Sequence, residues 1–201
     1  MIRTTLALTL AIALAAPAFA AAKVGAPAPD FTATDSNGKP VKLSSLRGKT
    51  VVLEWNNPGC PFVKKHYDSG NMQKTQAAAA KSGVVWLTVN SGAPGKQGHM
   101  DPAAANAFVK ASAAMPASYV LDGQGIVGKA YGARTTPEMA LIDPKGTLVY
   151  QGAIDDKPTA DPADIKGARN HVLAALGELK AGKPISVAQS KPYGCSVKYA
   201  S

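Results

Sequence analysis

The hydrophobic pattern of the chain alternates between short β-type runs and longer amphipathic stretches. Two apolar runs, residues 50–55 and 84–90, combine valine with leucine and tryptophan, which is typical of buried central strands. Shorter strands are predicted at 119–121, 138–142 and 147–152. Helices are predicted at about 61–81 with a break at 69–71, from 101–102 onward, at 126–131, and from about 161–162 to 182. The pattern therefore predicts strands and helices in alternation.

A β-hairpin is predicted near the N-terminus, where Asn37-Gly38 separates two short β-type segments. Strands that alternate with helices predict an α/β fold, and an antiparallel hairpin at 138–152 makes its central sheet mixed. The sequence of 201 residues has no internal repeat and fits one domain. We place that domain at residues 21–182, with a C-terminal tail at 183–201.

The first twenty residues have the organisation of a secretory signal peptide. Arg3 supplies a positive charge, residues 6–16 are almost entirely apolar, and Ala-Phe-Ala at 18–20 fits a cleavage site. The apolar run is shorter than the ~20 residues that a membrane-spanning helix needs. We therefore expect cleavage after Ala20, a periplasmic or secreted location, and no membrane attachment after cleavage.

The formal net charge of +9 comes from lysines and arginines that are spread along the chain rather than gathered in a block. This distribution favours a basic soluble surface over nucleic-acid binding. A Gly-rich phosphate loop, a nucleotide fingerprint and a serine triad signature are all absent from the sequence, so no cofactor is predicted. Because the three histidines are isolated, no metal site is predicted either.

The chain contains two cysteines, Cys60 and Cys195, and in an oxidising compartment such thiols pair or carry out redox chemistry. Cys60 follows the strand at 50–55 and begins a helix, where unpaired backbone N–H groups and the helix dipole lower a cysteine pKa. Lys64 and Lys65 are expected to add to this effect. The alternative is an inert core cysteine, but a Pro-Gly-Cys-Pro turn favours a reactive position.

Glu54 lies within an apolar strand, where a carboxylate is costly to bury without a role or a partner. Burial would raise its pKa and suit it to relay protons to or from a sulfur atom. The alternative is a solvent-facing Glu paired with a lysine. A second feature, Thr136-Pro137, precedes a buried strand and suits a cis peptide bond beside an extended thiol substrate; the alternative is an ordinary trans proline.

Together these features resemble the thioredoxin superfamily in its redoxin branch, the alkyl hydroperoxide reductase and thiol-specific antioxidant-like proteins. The motifs that carry the resemblance are Gly25-x-Pro27-x-Pro29-x-Phe31, Leu43-Ser44-x-Leu46-x-Gly48-Lys49, VVLEW at 51–55, Cys60, Thr136-Pro137 and the hairpin at 140–152. The resemblance implies a thioredoxin-like three-layer fold, a mixed sheet flanked by helices. It also implies a nucleophilic Cys60 beside a cis-proline, and it places Glu54 at the position of a buried carboxylate.

Two departures from this resemblance matter. Val63 stands where a Cys-x-x-Cys motif has its second cysteine, and Leu53 and Asn57 replace the signature Pro and Thr/Ser of peroxiredoxins. Arg134 could supply the cation that a peroxide site needs, and we assign it with Thr136 and Pro137 to substrate binding. Our hypothesis is that Cys195 in the tail resolves Cys60; a permanent structural disulfide and pairing with another chain remain alternatives.

These inferences predict a periplasmic thiol–disulfide oxidoreductase or a peroxiredoxin-like antioxidant protein. Cys60 would attack a disulfide or a small peroxide, Cys195 would resolve the intermediate, and Glu54 would move protons. The expected partner is a thiol or disulfide protein or a peroxide, with an external electron donor that the sequence does not identify. The alternative is a non-catalytic binding or carrier protein with a structural Cys60–Cys195 disulfide.

Overall fold

A computed structural model describes residues 22–200 of the chain. The predicted signal peptide, residues 1–20, lies outside the described residues. None of the helices in the described part of the chain has the length and apolar character needed to cross a membrane.

The centre of the fold is a seven-stranded mixed sheet within residues 22–200. Its strands are β1 Thr32–Asp35, β2 Pro40–Lys42, β3 Val51–Trp55, β4 Val85–Asn90, β5 Ser118–Leu121, β7 Glu138–Ile142 and β8 Leu148–Gly152, in the spatial order β2-β1-β5-β4-β3-β7-β8. Strands β3, β4 and β5 are parallel to one another, whereas β1, β2, β7 and β8 are joined by antiparallel pairing. The predicted hairpins and mixed sheet are confirmed.

The described helices are α1 Pro61–Asp68, α2 Asn71–Lys81, α3 Pro102–Ala111, α4 Ile126–Tyr131 and α5 His171–Lys180, with 3-10 turns at Leu43–Leu46 and Pro162–Gly167. The break between α1 and α2 lies at Ser69-Gly70, as the sequence predicts. At the start of α3, the Asp101 carboxylate accepts a hydrogen bond from Ala104 N at 2.8 Å, which also agrees with the predicted cap.

Alternating side chains of β3 divide the core into two layers. Val51, Leu53 and Trp55 pack on one face of the sheet with α4 and the N-terminal lead-in. Val52 faces the other side, where it packs with buried side chains of α1, α2 and α5. This is the period-2 pattern of a strand buried on both faces, and it produces the predicted arrangement of a sheet between helices.

The last helix is shorter than predicted and begins later. A 3-10 turn at Pro162–Gly167 ends at Gly167, and α5 begins only at His171. Between them the backbone pairs with the segment after β8, because His171 N donates to Ile154 O at 2.9 Å and Asn170 bridges to Asp155. Pairing with the segment that follows β8 therefore interrupts the helix that the Asp161-Pro162 start signal indicates.

The tail packs back against the domain and forms a second, two-stranded sheet. Its strand β9, Cys195–Ser196, pairs antiparallel with β6, Thr135–Thr136, and Thr136 lies directly opposite Cys195. The sequence does not predict these two-residue strands, since so short a segment shows no periodicity. Their pairing brings the C-terminal cysteine to the end of β3 where α1 begins.

The boundary of α5 gives a direct test. Asn170 Oδ1 accepts from Leu173 N at 2.9 Å and its amide donates to Thr75 Oγ1 at 3.0 Å. We expect Asn170→Ala to lower the free energy of unfolding by about 1 kcal/mol. The matched variant Asp161→Ala, which removes the cap of an exposed 3-10 turn, should cost less. Urea denaturation measures both, and an equal or larger loss in Asp161→Ala would contradict the assigned boundary.

Candidate redox site

Cys60 lies at the N-terminus of α1, held there by a tight turn that follows β3. Cys60 N donates to Asn57 O at 2.9 Å, and Gly59 N donates to the Asn57 side-chain oxygen at 2.9 Å. Pro61 occupies the first helical position, where no backbone N–H is required. The turn thus fixes the sulfur at the helix terminus, where backbone dipoles favour a negative charge.

The loop that carries Thr136-Pro137 lies against this sulfur. The Thr136–Pro137 peptide bond is cis, as predicted, and the Cys60 thiol donates to Thr136 O at 3.1 Å. Thr136 and Pro137 are both buried. The loop therefore presents a carbonyl oxygen to the thiol on one side.

Cys195 approaches the same sulfur from the tail. It is paired with Thr136 across the β6–β9 ladder, and its carbonyl accepts from Thr136 Oγ1 at 3.4 Å. Gly194 makes this approach possible, because its φ of 129° suits glycine and an added Cβ would collide with the Thr136 carbonyl. Both thiols are free, and the Cys195 side chain packs against the buried cluster that contains Cys60.

The two thiols have opposite pKa shifts. Burial raises the pKa of Cys60, but hydrogen bonds from the Cys195 side chain and from the backbone N–H groups of Val63 and Cys195 more than offset it, so the net pKa is lowered. Burial raises the pKa of Cys195 to about 11, and its hydrogen bond to Cys60 adds to the rise. Cys60 is therefore the better thiolate of the two.

Cys60 is fully buried, which the sequence analysis does not anticipate. Its exposed fraction is 0%, and it packs with core side chains such as Val63 and Met72. A Pro-Gly-Cys-Pro turn at a strand end is ordinarily open to solvent. Here Thr136 and Cys195 lie over the sulfur, so the cover comes from the cis-proline loop and the tail.

The expected contribution of Lys65 to the Cys60 pKa is not found. Lys65 is buried, with its ammonium 2.7 Å from Lys157 O and 3.7 Å from the Asp155 carboxylate. Five residues after Cys60 the helix has turned through about one and a half turns, which directs Lys65 to the Asp155 side of α1. The helix terminus and neighbouring N–H groups act on the sulfur instead.

Glu54 is fully buried in the α1–α2 layer, and burial raises its pKa, as predicted. Five side-chain groups donate to its carboxylate: Tyr67 Oη, Asn56 Nδ2, Gln76 Nε2, Trp86 Nε1 and Thr88 Oγ1, at 2.6–3.3 Å. Among the described residues neither cysteine is one of its partners. The structure therefore brings Cys60, Cys195 and Thr136-Pro137 together and leaves Glu54 in a polar cage of its own.

Arg134 is held through its backbone rather than its side chain. Arg134 N donates to the Glu138 carboxylate at 2.8 Å, and Arg134 O accepts from Val197 N at 2.9 Å. Its exposed side chain borders a cleft of about 500 Å³ that Gln151 and Lys191 also line. The backbone of Arg134 therefore helps to position the tail, and the residue lines this cleft.

The family model described as Redoxin matches residues 23–169. The chain belongs to the redoxin family. A curated relative, the thiol-disulfide oxidoreductase ResA of Bacillus subtilis (strain 168), is 32% identical over 125 residues, which cover 62% of this chain and 64% of ResA. The aligned region is thus less than two thirds of the relative's length.

Two solved structures resemble this redoxin over most of its length. A hypothetical protein from Sinorhizobium meliloti 1021 has a TM-score of 0.74 at 26% identity, covering 90% of this chain and 97% of the other. An uncharacterized conserved protein from Geobacillus kaustophilus has a TM-score of 0.72 at 26% identity, covering 90% and 93%. With its mixed sheet between helices, the redoxin has a thioredoxin-like fold.

Two tyrosines that flank Cys195 hold the tail through contacts that the sequence does not predict. The Tyr193 hydroxyl donates to the buried Asp155 carboxylate, and the Tyr199 hydroxyl donates to Ala133 O at 2.7 Å. His66 Nε2 lies 3.2 Å from the Tyr193 hydroxyl, and burial lowers its pKa to about 4, so it is neutral at pH 7. The available signal was two aromatic residues close to a cysteine in a terminal segment.

Within residues 22–200 of this redoxin, no cluster of three or more His, Cys, Asp or Glu side chains is arranged to hold a metal ion. His99, the other histidine near the site loops, has its Nδ1 2.8 Å from Gly92 O.

The raised pKa of Glu54 predicts a pH-dependent stability. Folded protein keeps a proton on Glu54 that unfolded protein releases, so the free energy of unfolding falls as the pH rises from the ordinary value of 4.5 through the raised pKa. Glu54→Gln cannot titrate and removes this fall. Urea denaturation of the wild-type protein and of Glu54→Gln, from about pH 4 to pH 8, measures the difference in their free energies of unfolding at each pH. The contributions of the other titrating groups cancel in this difference. An identical pH dependence in the two proteins would show that Glu54 keeps its ordinary pKa.

Proposed function

We propose that this redoxin is a thiol–disulfide oxidoreductase that cycles between a Cys60–Cys195 dithiol and a Cys60–Cys195 disulfide. The observation that carries the proposal is the placement of two free thiols, far apart in sequence, against one another beside Thr136-Pro137. The dithiol gives two electrons and two protons to a substrate disulfide, which leaves as two thiols. An external dithiol then restores the reduced pair.

The opposite pKa shifts of the two cysteines suit this cycle. The lowered pKa of Cys60 increases its thiolate fraction at a given pH and makes Cys60 the better leaving group when the disulfide is reduced. The raised pKa of Cys195 makes it the poorer leaving group. Reduction of the Cys60–Cys195 bond would therefore release the Cys60 sulfur first.

Membership of the redoxin family and the similarity to ResA, which is named a thiol-disulfide oxidoreductase, support thiol exchange. A peroxidase function has less support. Asn57 occupies the position of the peroxide-binding hydroxyl, and its amide is engaged by Gly59 N and by the Gln97 side chain. The Arg134 side chain is exposed and lines a surface cleft. We also propose export, on the signal-like pattern of residues 1–20.

The experiment that tests the function is a redox titration of the chain that begins after Ala20, in glutathione buffers, read by mass spectrometry. We expect reversible loss of two hydrogen atoms with a midpoint above about −300 mV, as for a labile disulfide. Cys60→Ser and Cys195→Ser should each abolish this transition and reduction of a small disulfide substrate. A midpoint below about −300 mV would mark a structural bond and overturn the redox cycle.

A further inference from the structure

We propose that external thiols and disulfides react at Cys195, and that Cys60 is the internal thiol that closes or opens the bond behind it. This assignment rests on the proposed redox function and reverses the roles expected from the sequence. Three features carry it: the burial of Cys60, the occupation of the β6 edge by the tail, and the fixed anchorage of the tail on both sides of Cys195.

The first feature is access. Cys60 has an exposed fraction of 0%, whereas Cys195 is only partly buried. Displacement at sulfur requires the attacking thiolate to approach along the bond that breaks, so the sulfur must be reachable. In this structure a molecule from solvent can reach Cys195, and Cys60 lies beneath Cys195.

The second feature is the edge of β6. An extended polypeptide that adds to a sheet edge uses the backbone N–H and C=O groups of that edge. Here β9 already pairs with Thr135–Thr136, and Val197 N donates a hydrogen bond to the Arg134 carbonyl oxygen at 2.9 Å. A substrate cannot pair beside Cys60 while the tail is in place, so the tail cysteine occupies the substrate's position.

The third feature is the anchorage of the tail upstream of Cys195. The Tyr193 hydroxyl donates to Asp155, whose side chain is 1% exposed and lies 3.7 Å from the buried Lys65 ammonium. The Tyr193 ring also packs edge-on against Phe62, with centroids 5.8 Å apart. Withdrawing Tyr193 would leave a buried charge pair with an unmet hydrogen bond, which is costly.

The anchorage continues downstream of Cys195. Ala93 N donates to Lys198 O at 2.8 Å, and the Tyr199 hydroxyl donates to Ala133 O at 2.7 Å. The Tyr199 ring lies in a slot along α4 where Gly128 leaves room, because an added Cβ there would collide with the tyrosine hydroxyl. The tail is therefore a built part of the site, fixed on both sides of the thiol, rather than a loose lid.

Exchange with a substrate disulfide takes place in two displacement steps. Cys195 first gives its thiol proton to water, and because its pKa is raised to about 11 only a small fraction is thiolate at neutral pH. That thiolate attacks one sulfur of the substrate disulfide, forming a Cys195–substrate mixed disulfide and releasing the first substrate thiolate. The Cys60 thiolate then attacks Cys195 Sγ, forming the Cys60–Cys195 disulfide and releasing the second substrate thiolate. In the return direction an external dithiol attacks Cys195 Sγ and Cys60 leaves, and its lowered pKa favours that departure.

Two matched variants test the assignment. Cys60→Ser leaves Cys195 alone and Cys195→Ser leaves Cys60 alone, and each is treated with dithiobis(nitrobenzoate) while release of the coloured thiolate is followed. Replacing either cysteine removes only the side-chain hydrogen bond between the two residues, whereas the burial of Cys195 and the backbone N–H groups that lower the pKa of Cys60 remain. These remaining effects favour the Cys60 thiolate, so a slower reaction of Cys60 reports its restricted access. We expect Cys60 to react on the order of tenfold or more slowly than Cys195 in the folded protein, and equally fast in denaturant. Equal or faster reaction of Cys60 would overturn the proposal.

A second pair of variants tests whether the tail is the cover. In the Cys195→Ser background, Tyr199→Ala removes the downstream anchor and should raise the reaction rate of Cys60 on the order of tenfold. The matched control Lys191→Ala changes an exposed residue of the same tail and should leave the rate unchanged. No acceleration in Tyr199→Ala would overturn the proposal. Failure of the redox cycle is distinguishable, because it appears in the glutathione midpoint of the wild-type chain and not in these rates.

Discussion

The site depends on one strand pairing, the contact of β9 with β6 that places Cys195 opposite Thr136 and beside Cys60. Register matters here because a slip of one residue would turn the Cys195 side chain to the opposite face of the strand. The conformation of Gly194 and the two flanking tyrosines fix that register. The pairing determines the proposed chemistry and also controls access to the sulfur of the helix cysteine.

Two acidic groups, Glu54 and Cys60, are buried in the same layer of this redoxin, and their pKa values are shifted in opposite directions. Burial alone raises the pKa of both Glu54 and Cys60. For Glu54 the five hydrogen-bond donors do not offset the rise in pKa that burial causes. For Cys60 the thiol and a backbone N–H of the tail are among the donors whose hydrogen bonds outweigh that rise. The contribution of Cys195 thus extends beyond its own sulfur, because it lowers the pKa of its partner. Detaching the tail would remove both the cover that raises the pKa of Cys60 and the tail hydrogen bonds that lower it.

Local signals in the sequence predicted the thioredoxin-like framework well. Asn37-Gly38 predicted a hairpin, and the apolar runs predicted β3 and β4, because turns and buried strands depend on residues that are close together in the sequence. The predicted start of the last helix was wrong, because the backbone around Asn170 pairs with a distant segment instead of continuing a helix. The approach of the tail to Cys60 was predicted from the two cysteines, but its mode of docking was not. Two-residue strands have no period, and the partner of Tyr193 is a buried carboxylate far away in sequence.

In the proposed cycle Cys195 is the thiol that reacts with the substrate, and Cys60 is the thiol that reacts second. The most direct measurement is to mix the reduced wild-type chain with glutathione disulfide, quench with acid at successive times, and map the adduct by peptide mass spectrometry. We expect glutathione first on the peptide that contains Cys195, followed by a cross-linked peptide that joins Cys60 to Cys195. Glutathione appearing first on the Cys60 peptide would contradict this order of reaction.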